Sequence, residues 1–166
     1  QQLDRLAVLA MLHDAGKANL GFQRKVFHPR APRAGHIREL APLLDPEALD
    51  EELHMAFVQA LSSDVFTWFP DEVAAYSYFL ATFSHHGRPL LFQGVKTGTY
   101  FQAKREWWHS QGPWDPMDAI AEIMEWARKA FPRAFEWGGA PLPSDGRFHH
   151  RFLGLLMLAD WLGSHP

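Results

Sequence analysis

Two adjacent pairs of potential metal ligands stand out in the chain, His13-Asp14 and His85-His86. The first pair joins a neutral nitrogen donor to a carboxylate, and the second pair repeats the nitrogen donor. A histidine at the C-terminal end of a helix also interacts favourably with the helix dipole and the last carbonyl groups. Such a helix-end role explains any one of these histidines alone. The occurrence of two adjacent pairs of potential ligands favours a metal site.

Asp160 is a third candidate ligand, because it interrupts the apolar segment 152–162. An unpaired carboxylate that is buried among apolar side chains carries a large desolvation penalty. We therefore expect Asp160 to be buried and to require a cation. The cation is either an Arg or Lys in a salt bridge or a metal ion, and the local sequence leaves both open.

The composition limits the class of protein. A chain of 166 residues with 47% apolar residues has the size of one domain with a sizeable core. It has no cysteine, which excludes disulfides, thiolate metal sites and cysteine nucleophiles. The net charge of −3 argues against a strongly basic surface that grips nucleic acid. We expect a soluble cytoplasmic protein without a membrane span, because no apolar run approaches about 20 residues and no secretory signal is recognisable.

The spacing of apolar residues and the helix-boundary residues predict an all-α fold without internal repeats. His13-Asp14 would lie in the last turn of the first helix, and His36 in the second. His85-His86 would end the fourth helix, while 90–113 and 132–143 would form a long loop and a linker. The predicted helices are 2–15, 34–44, 46–62, Pro70 to Gly87, 115–131, and a last helix that Ser144 or Asp145 caps and that reaches Gly163.

Three motifs resemble those of the HD superfamily of metal phosphohydrolases: LHDAGKAN at 12–19 followed by FQ at 22–23, SHHGRP at 84–89, and LADWLGS at 158–164. The resemblance is specifically to the HD nuclease of the CRISPR type I interference helicase–nuclease, because a doubled histidine followed by Gly distinguishes that branch. It covers nearly the whole chain in the family's order. The resemblance implies an HD-superfamily helical bundle and a single HD nuclease domain over 1–166.

The resemblance also implies two metal ions, with Asp14 bridging both. The implied metal ligands are His13, Asp14, His36, His85, His86 and Asp160. Mixed imidazole and carboxylate ligation suits manganese, iron, cobalt, nickel or zinc better than magnesium, so we expect divalent transition-metal ions. Asp14 and Lys17 are the implied catalytic residues. Lys17 would contact a substrate phosphate, although a solvated lysine at a helix end is the alternative.

His36 is assigned as the family's middle histidine because of its order and because a short amphipathic helix follows it. His54 competes for the assignment, since it lies between the same motifs. The family's first histidine has no counterpart among the twelve residues before His13, so we expect a chain that lacks the family's N-terminal helix. Surface or capping positions account for the other histidines, which are His28, His109, His149, His150 and His165.

The resemblance implies an enzyme that cuts single-stranded DNA during CRISPR type I interference. Its partners would be a helicase, fused or separate, and the CRISPR interference complex, with no membrane. Two alternatives remain open at this point. One is an HD phosphohydrolase acting on nucleotides or cyclic nucleotides, and the other is a non-catalytic, metal-bound interaction domain.

Overall fold

The computed structural model describes residues 1–28, 30, 34–44, 51–87, 90 and 105–164. Within these ranges the chain forms α- and 3₁₀ helices and no strand beyond one isolated bridge, which confirms the all-α prediction. The α-helices described are α1 (Gln2–Met11), α2 (Leu20–Phe27), α3 (Ala41–Leu44), α4 (Glu51–Leu61), α5 (Glu72–Phe83), α6 (Pro116–Ala130) and α7 (Gly146–Ser164). The chain forms two compact units: a first unit of 1–13, 63–89 and 125–166, and a second unit of 14–62 and 90–124.

The first unit is built around α1, α5 and α7. Helix α5 packs against both α1 and α7, and α1 also packs against a 3₁₀ helix at Pro132–Phe135. Burying each large apolar side chain of these helices contributes about 1.5–3 kcal/mol. The buried side chains at these contacts include Val8, Leu9, Phe79, Phe83, Phe152 and Leu156. This packing fixes the positions of three helices. Candidate ligands follow α1 and α5 directly, and another lies within α7.

Arg5 ties the segment after α6 to α1. Its side chain is buried, and its guanidinium donates to the backbone carbonyls of Ala134, Gly138 and Ala140 at 3.3, 2.9 and 3.0 Å. Hydrogen bonds from a charged donor are among the stronger ones in proteins. The predicted linker 132–143 contains a 3₁₀ helix, and these hydrogen bonds hold it against α1.

The second unit is centred on α3, α4 and Trp108. Helices α3 and α4 pack together, and Leu43 and Phe57 are among their buried side chains. The Trp108 ring is 1% exposed, and its Nε1–H donates to the carbonyl of Glu39 at 2.7 Å. A buried indole usually requires such a partner. The bond fixes the short 3₁₀ helix at Arg38–Leu40, which comes directly after His36 and Ile37.

The helix boundaries differ from the prediction at the first motif. Helix α1 ends at Met11, and a 3₁₀ helix covers Leu12–Ala18, so the predicted helix 2–15 is too long. A 3₁₀ turn commonly satisfies the carbonyl groups at a helix end, and apolar spacing does not reveal it. His13 and Asp14 consequently lie beyond the last turn of α1.

The described boundaries of the other predicted helices agree within a few residues, whereas α2 was not predicted. His36 precedes its helical segment, which spans 38–44, and His85 and His86 lie in the turn that follows α5. Asp145 accepts from the backbone N–H of Phe148 at 3.0 Å, which confirms it as a cap of the last helix. The start of the predicted helix 46–62 and most of the predicted loop 90–113 lie outside the described residues.

Candidate metal centre

In the first unit, His13 meets Asp160 from the other end of the chain. The His13 Nε2 lies 3.4 Å from Asp160 Oδ1, although 147 positions separate the two residues. The other ring nitrogen, Nδ1, lies 2.6 Å from the carbonyl oxygen of Ala10. A carbonyl accepts only from a protonated nitrogen, so Nδ1 carries the hydrogen and Nε2 is the nitrogen suited to bind a metal.

His85 repeats this arrangement at the end of α5. Its Nδ1 lies 3.2 Å from the carbonyl oxygen of Thr82, three residues earlier, as Ala10 is three residues before His13. The His85 side chain is 2% exposed, and its ring meets the His13 ring edge-on with centroids 4.7 Å apart. His86 is exposed, with its ring centroid 4.5 Å from that of His85. The first unit thus brings together three histidines and one carboxylate.

The expected burial of Asp160 is wrong. Its side chain is 26% exposed, and its helix neighbours Trp161 and Leu162 are 57% and 62% exposed. Helix α7 has apolar side chains on more than one face. Only the face with Phe152 and Leu156 is buried, so the apolar neighbours of Asp160 in the sequence do not bury it. Across the ranges that the structure covers, Asp160 makes no salt bridge to Arg or Lys. It contacts His13 and accepts from the Ser164 hydroxyl at 3.2 Å.

In the second unit, Asp14 lies between a lysine and a histidine. One carboxylate oxygen accepts from the Lys17 ammonium, and the other lies 3.4 Å from His36 Nε2. These side chains are partly exposed, at 30% for Asp14 and 17% for His36, and the Phe22 ring meets the His36 ring edge-on. The two carboxylate oxygens therefore have different neighbours, one of them a cation and the other a potential metal ligand.

Gly16 and Asn19 hold the backbone of His36 beside Asp14. A Cβ on Gly16 would overlap the carbonyl oxygen of His36, so no larger residue fits this approach. The buried Asn19 amide donates to the carbonyls of Gly16 and Gly35 at 2.6 and 2.9 Å. Its oxygen accepts from the Phe22 N–H at 2.7 Å and caps α2. The prediction used Gly16 only as the point where the first helix stops and gave Asn19 no role, although an Asn before an apolar helix is a capping signal.

The other histidines that the structure describes are exposed or have partners outside the predicted ligand set. The His54 Nδ1 lies 2.8 Å from the carbonyl oxygen of Leu43, which gives this competitor of His36 a partner within the second unit. His28 is the C-cap residue of α2, whereas His109 and His150 are exposed. His149 does not fit the expected surface role, since it is half-buried with its ring 4.5 Å from that of Tyr78. His165 lies outside the described residues.

The donor sets suit a divalent metal ion in both units. Neutral imidazole nitrogens and carboxylate oxygens bind first-row transition metals. Hydrogen bonds from Nδ1 to backbone carbonyls orient His13 and His85, and such bonds are typical of metal-binding histidines. The residues present therefore fit the metal that the resemblance implies.

Comparison with known families decides the class of the chain. The family model described as "Cas3, HD domain" matches residues 1–166. The chain belongs to the Cas3 HD domain family. No curated protein and no solved structure matches it.

Membership in the Cas3 HD domain family makes this chain a metal-dependent nuclease domain of CRISPR type I systems. It also confirms the resemblance that the three motifs carry. HD domains bind divalent metal ions, and the histidine and aspartate groups of both units agree with that. None of the helices that the structure describes is long and apolar enough to cross a membrane.

Proposed function

We propose that this chain hydrolyses phosphodiester bonds of single-stranded DNA, using two divalent transition-metal ions. The reaction would take place during CRISPR type I interference, with a helicase on the same or a separate chain delivering the strand and the interference complex as a further partner. Family membership and the donor groups of the two units support the proposal.

The contact between His13 and Asp160 carries most weight. A partly exposed histidine and a partly exposed aspartate that are 147 positions apart have no general reason to meet, since an ion pair near the surface contributes only about 1 kcal/mol or less. Helix packing nevertheless holds His13, His85 and Asp160 together at the ends of three helices. Such a convergence is expected when the side chains belong to one metal centre.

The six predicted ligands divide into two proposed sets that share Asp14. His13, Asp14 and Asp160 would hold one ion, and the other would be held by Asp14, His36, His85 and His86. Bound ions of this kind lower the pKa of a water and stabilise charge on a reacting phosphate.

Lys17 is proposed to position the substrate. Its ammonium pairs with Asp14, and its side chain is 45% exposed, so it can reach a phosphate oxygen of a strand beside the carboxylate. An ammonium is a compact cation with three rotatable donors, which suits a phosphate that approaches from solvent. The orientation of His13 by Ala10 and of His85 by Thr82 would keep Nε2 of each ring directed at its ion.

The test uses metal-depleted protein to which manganese, nickel or cobalt is added. We expect the chain to cut a labelled single-stranded oligonucleotide, to leave intact duplex largely uncut, and to stop when a chelator is added. Asp14→Asn should abolish cleavage and lower the amount of bound metal, because it removes a charged ligand shared by both sets. The matched control is Asp118→Asn, which changes an exposed carboxylate of α6.

A second pair of variants separates the two candidates for the middle histidine. His36→Ala should lower metal content, whereas His54→Ala should retain it, since His54 contacts the Leu43 carbonyl. Metal loss with His54→Ala alone would overturn the assignment. Hydrolysis of free nucleotides without action on oligonucleotides would place the chain among HD phosphohydrolases of nucleotides, and bound metal without any turnover would indicate an interaction domain.

A further inference from the structure

One face of α2 and a tight turn form a pocket in the second unit. Leu20, Gln23, Arg24 and Phe27 have the spacing of neighbours on one face of a helix, and with Trp114 they line a cavity of about 300 Å³. That volume is at the lower end of the range for small-ligand sites. The Phe27 and Trp114 rings are 59% and 52% exposed, and their centroids lie 5.7 Å apart with planes tilted by 50°. Two broad aromatic faces are thus open to a ligand.

The backbone holds Trp114 rigidly. Gln111 and Trp114 pair across a turn, with N–H to carbonyl distances of 2.8 and 3.2 Å, and Gly112 supplies the positive φ of 61°. The next residue, Asp115, caps the start of α6 by accepting from the Met117 N–H at 2.8 Å. The turn fixes the backbone of Trp114, and an indole has only two side-chain torsions, so ordering it on a ligand costs little conformational entropy.

The polar groups of the pocket suit a phosphate ester and connect the pocket to Lys17. Arg24 donates to the side-chain oxygen of Gln111 at 2.6 Å, which uses one of the five guanidinium N–H groups. The Gln23 amide donates to the backbone carbonyl of Lys17 at 2.6 Å. Helix α2 is about 10 Å long from Leu20 to Phe27. The aromatic pair therefore lies about one helix length from the residues around Asp14.

The charge of this part of the chain is opposite to that of the whole. Residues 15–38 contain six Lys and Arg residues and no Asp or Glu, whereas the entire chain has a net charge of −3. Lys17, Arg24 and Lys25 belong to this basic segment, and the Lys25 ammonium lies 4.0 Å from the centre of the Phe22 ring. A local basic segment next to aromatic faces is the combination by which proteins bind an unpaired nucleic-acid strand.

We propose that this pocket is a subsite for one nucleotide of single-stranded DNA, with the base stacked on the exposed face of Trp114 beside Phe27 and an adjacent phosphate on Arg24. The inference rests on the proposed function, because it names how the same substrate is held beside the candidate metal centre. Stacking on aromatic side chains requires a base that is exposed on its faces, which a duplex does not offer. The subsite thus gives a reason for selecting single strands.

The experiment measures binding without cleavage. The full chain is kept in chelator, and the anisotropy of a fluorescein-labelled oligothymidylate is followed as protein is added. Trp114→Leu should weaken binding by about tenfold, the effect of losing one stacked base, and Trp114→Phe should recover most of it. Arg24→Gln should make the dependence of log affinity on log salt shallower by about 0.7, the value for one contact to a single-strand phosphate.

Two matched controls lie outside the pocket. Trp126→Leu removes an indole of similar exposure, 59%, and Arg151→Gln removes an exposed arginine of α7. Both should bind the oligonucleotide like the parent chain. Circular dichroism of each variant shows whether the fold is retained, and the Trp114→Phe variant distinguishes loss of stacking from loss of the turn.

Cleavage by the manganese-loaded parent chain tests the proposed function separately. If the parent cuts single strands while Trp114→Leu and Arg24→Gln bind like the parent, the subsite is wrong and the proposed function stands. If the two variants bind more weakly but the parent does not cut, the subsite stands and the proposed function fails. Equal affinity for duplex and single strands would also overturn the subsite.

Discussion

The candidate ligands of the two units are held in different ways. In the first unit, His13 and His85 follow α1 and α5, and Asp160 lies in α7. The packing of these three helices brings the side chains together, although they are far apart in the chain. In the second unit, Asp14 and His36 are 22 positions apart, and backbone contacts at Gly16 and Asn19 bring them together. The first group of ligands depends on apolar burial between helices. The second depends on the close approach of Gly16 to the His36 backbone and on the buried Asn19 amide.

This difference indicates where each group is vulnerable. Apolar cores tolerate substitutions of similar volume, so the first group should survive conservative changes in the helices that hold it. Where two backbone segments are in close contact, even one added methyl group does not fit. A buried polar group that loses its hydrogen-bond partners lowers the free energy of unfolding. Single substitutions should therefore disturb the second group more than the first.

The largest effect is expected for Gly16→Ala. The new Cβ would overlap the His36 carbonyl oxygen and displace His36 from Asp14. We expect a loss of about 1–3 kcal/mol in the free energy of unfolding and about a hundredfold loss of cleavage rate. Gly154→Ala in α7 is the control, because its Cβ meets no atom within 4 Å. Denaturant unfolding should show Gly154→Ala to be more stable by about 0.5–1 kcal/mol.

Asn19→Ala should have the next largest effect. It removes the donor to the Gly16 and Gly35 carbonyls and the cap of α2, at a cost of about 1–3 kcal/mol. The comparable cap in the first unit is Asp71, whose carboxylate accepts from the Ala74 N–H. Asp71→Ala should cost about 1 kcal/mol and leave metal content unchanged. Equal effects of both variants on metal content would show that Asn19 acts only as a cap.

Asp160→Asn tests the first group. Because the carboxylate is partly exposed, the metal-free variant should unfold within about 0.5 kcal/mol of the parent. Calorimetric titration should nevertheless show metal affinity reduced by more than about tenfold, since even residues that only orient ligands contribute that much. Asp64→Asn is the control, because Asp64 pairs with Arg128 on the surface. Undiminished metal affinity in Asp160→Asn would remove this residue from the ligand set.

The smallest effect concerns the packing of α5 and α7 rather than the ligands. Burial, aided by Asp145, raises the pKa of Tyr78 to about 12 from its ordinary value of 10.0. The folded state therefore favours the protonated hydroxyl, which donates to the Pro143 carbonyl at 2.7 Å. This contribution is complete below pH 10 and is lost as the pH rises towards 12.

Thermal unfolding as a function of pH checks this prediction. The melting temperature of the parent should fall more steeply between pH 10 and 12 than that of Tyr78→Phe. Parallel curves throughout would mean that the Tyr78 hydroxyl does not couple its ionisation to the packing of these helices.

The sequence determined the class of the fold and the residue types of the site. Apolar spacing gave the positions of α5, α6 and α7 within a few residues, because those helices bury one regular face or start at a recognisable cap. The adjacent pairs His13-Asp14 and His85-His86 could be recognised as potential metal ligands from the sequence, because the ability to bind a metal depends first on the type of side chain. The basic segment 15–38 was equally present in the sequence, although the net charge of the whole chain conceals it.

The tertiary structure decided which residues meet and which faces are covered. Apolar periodicity predicted a buried Asp160, but α7 is apolar on more than one face and α5 covers the side of Phe152 and Leu156. The contact of His13 with Asp160 depends on that packing over 147 positions, and no local pattern encodes such a distance. The overlap that excludes a side chain at Gly16 likewise exists only once His36 has folded against it. Helix spacing and ligand types are local properties, whereas burial and convergence are properties of the packed chain.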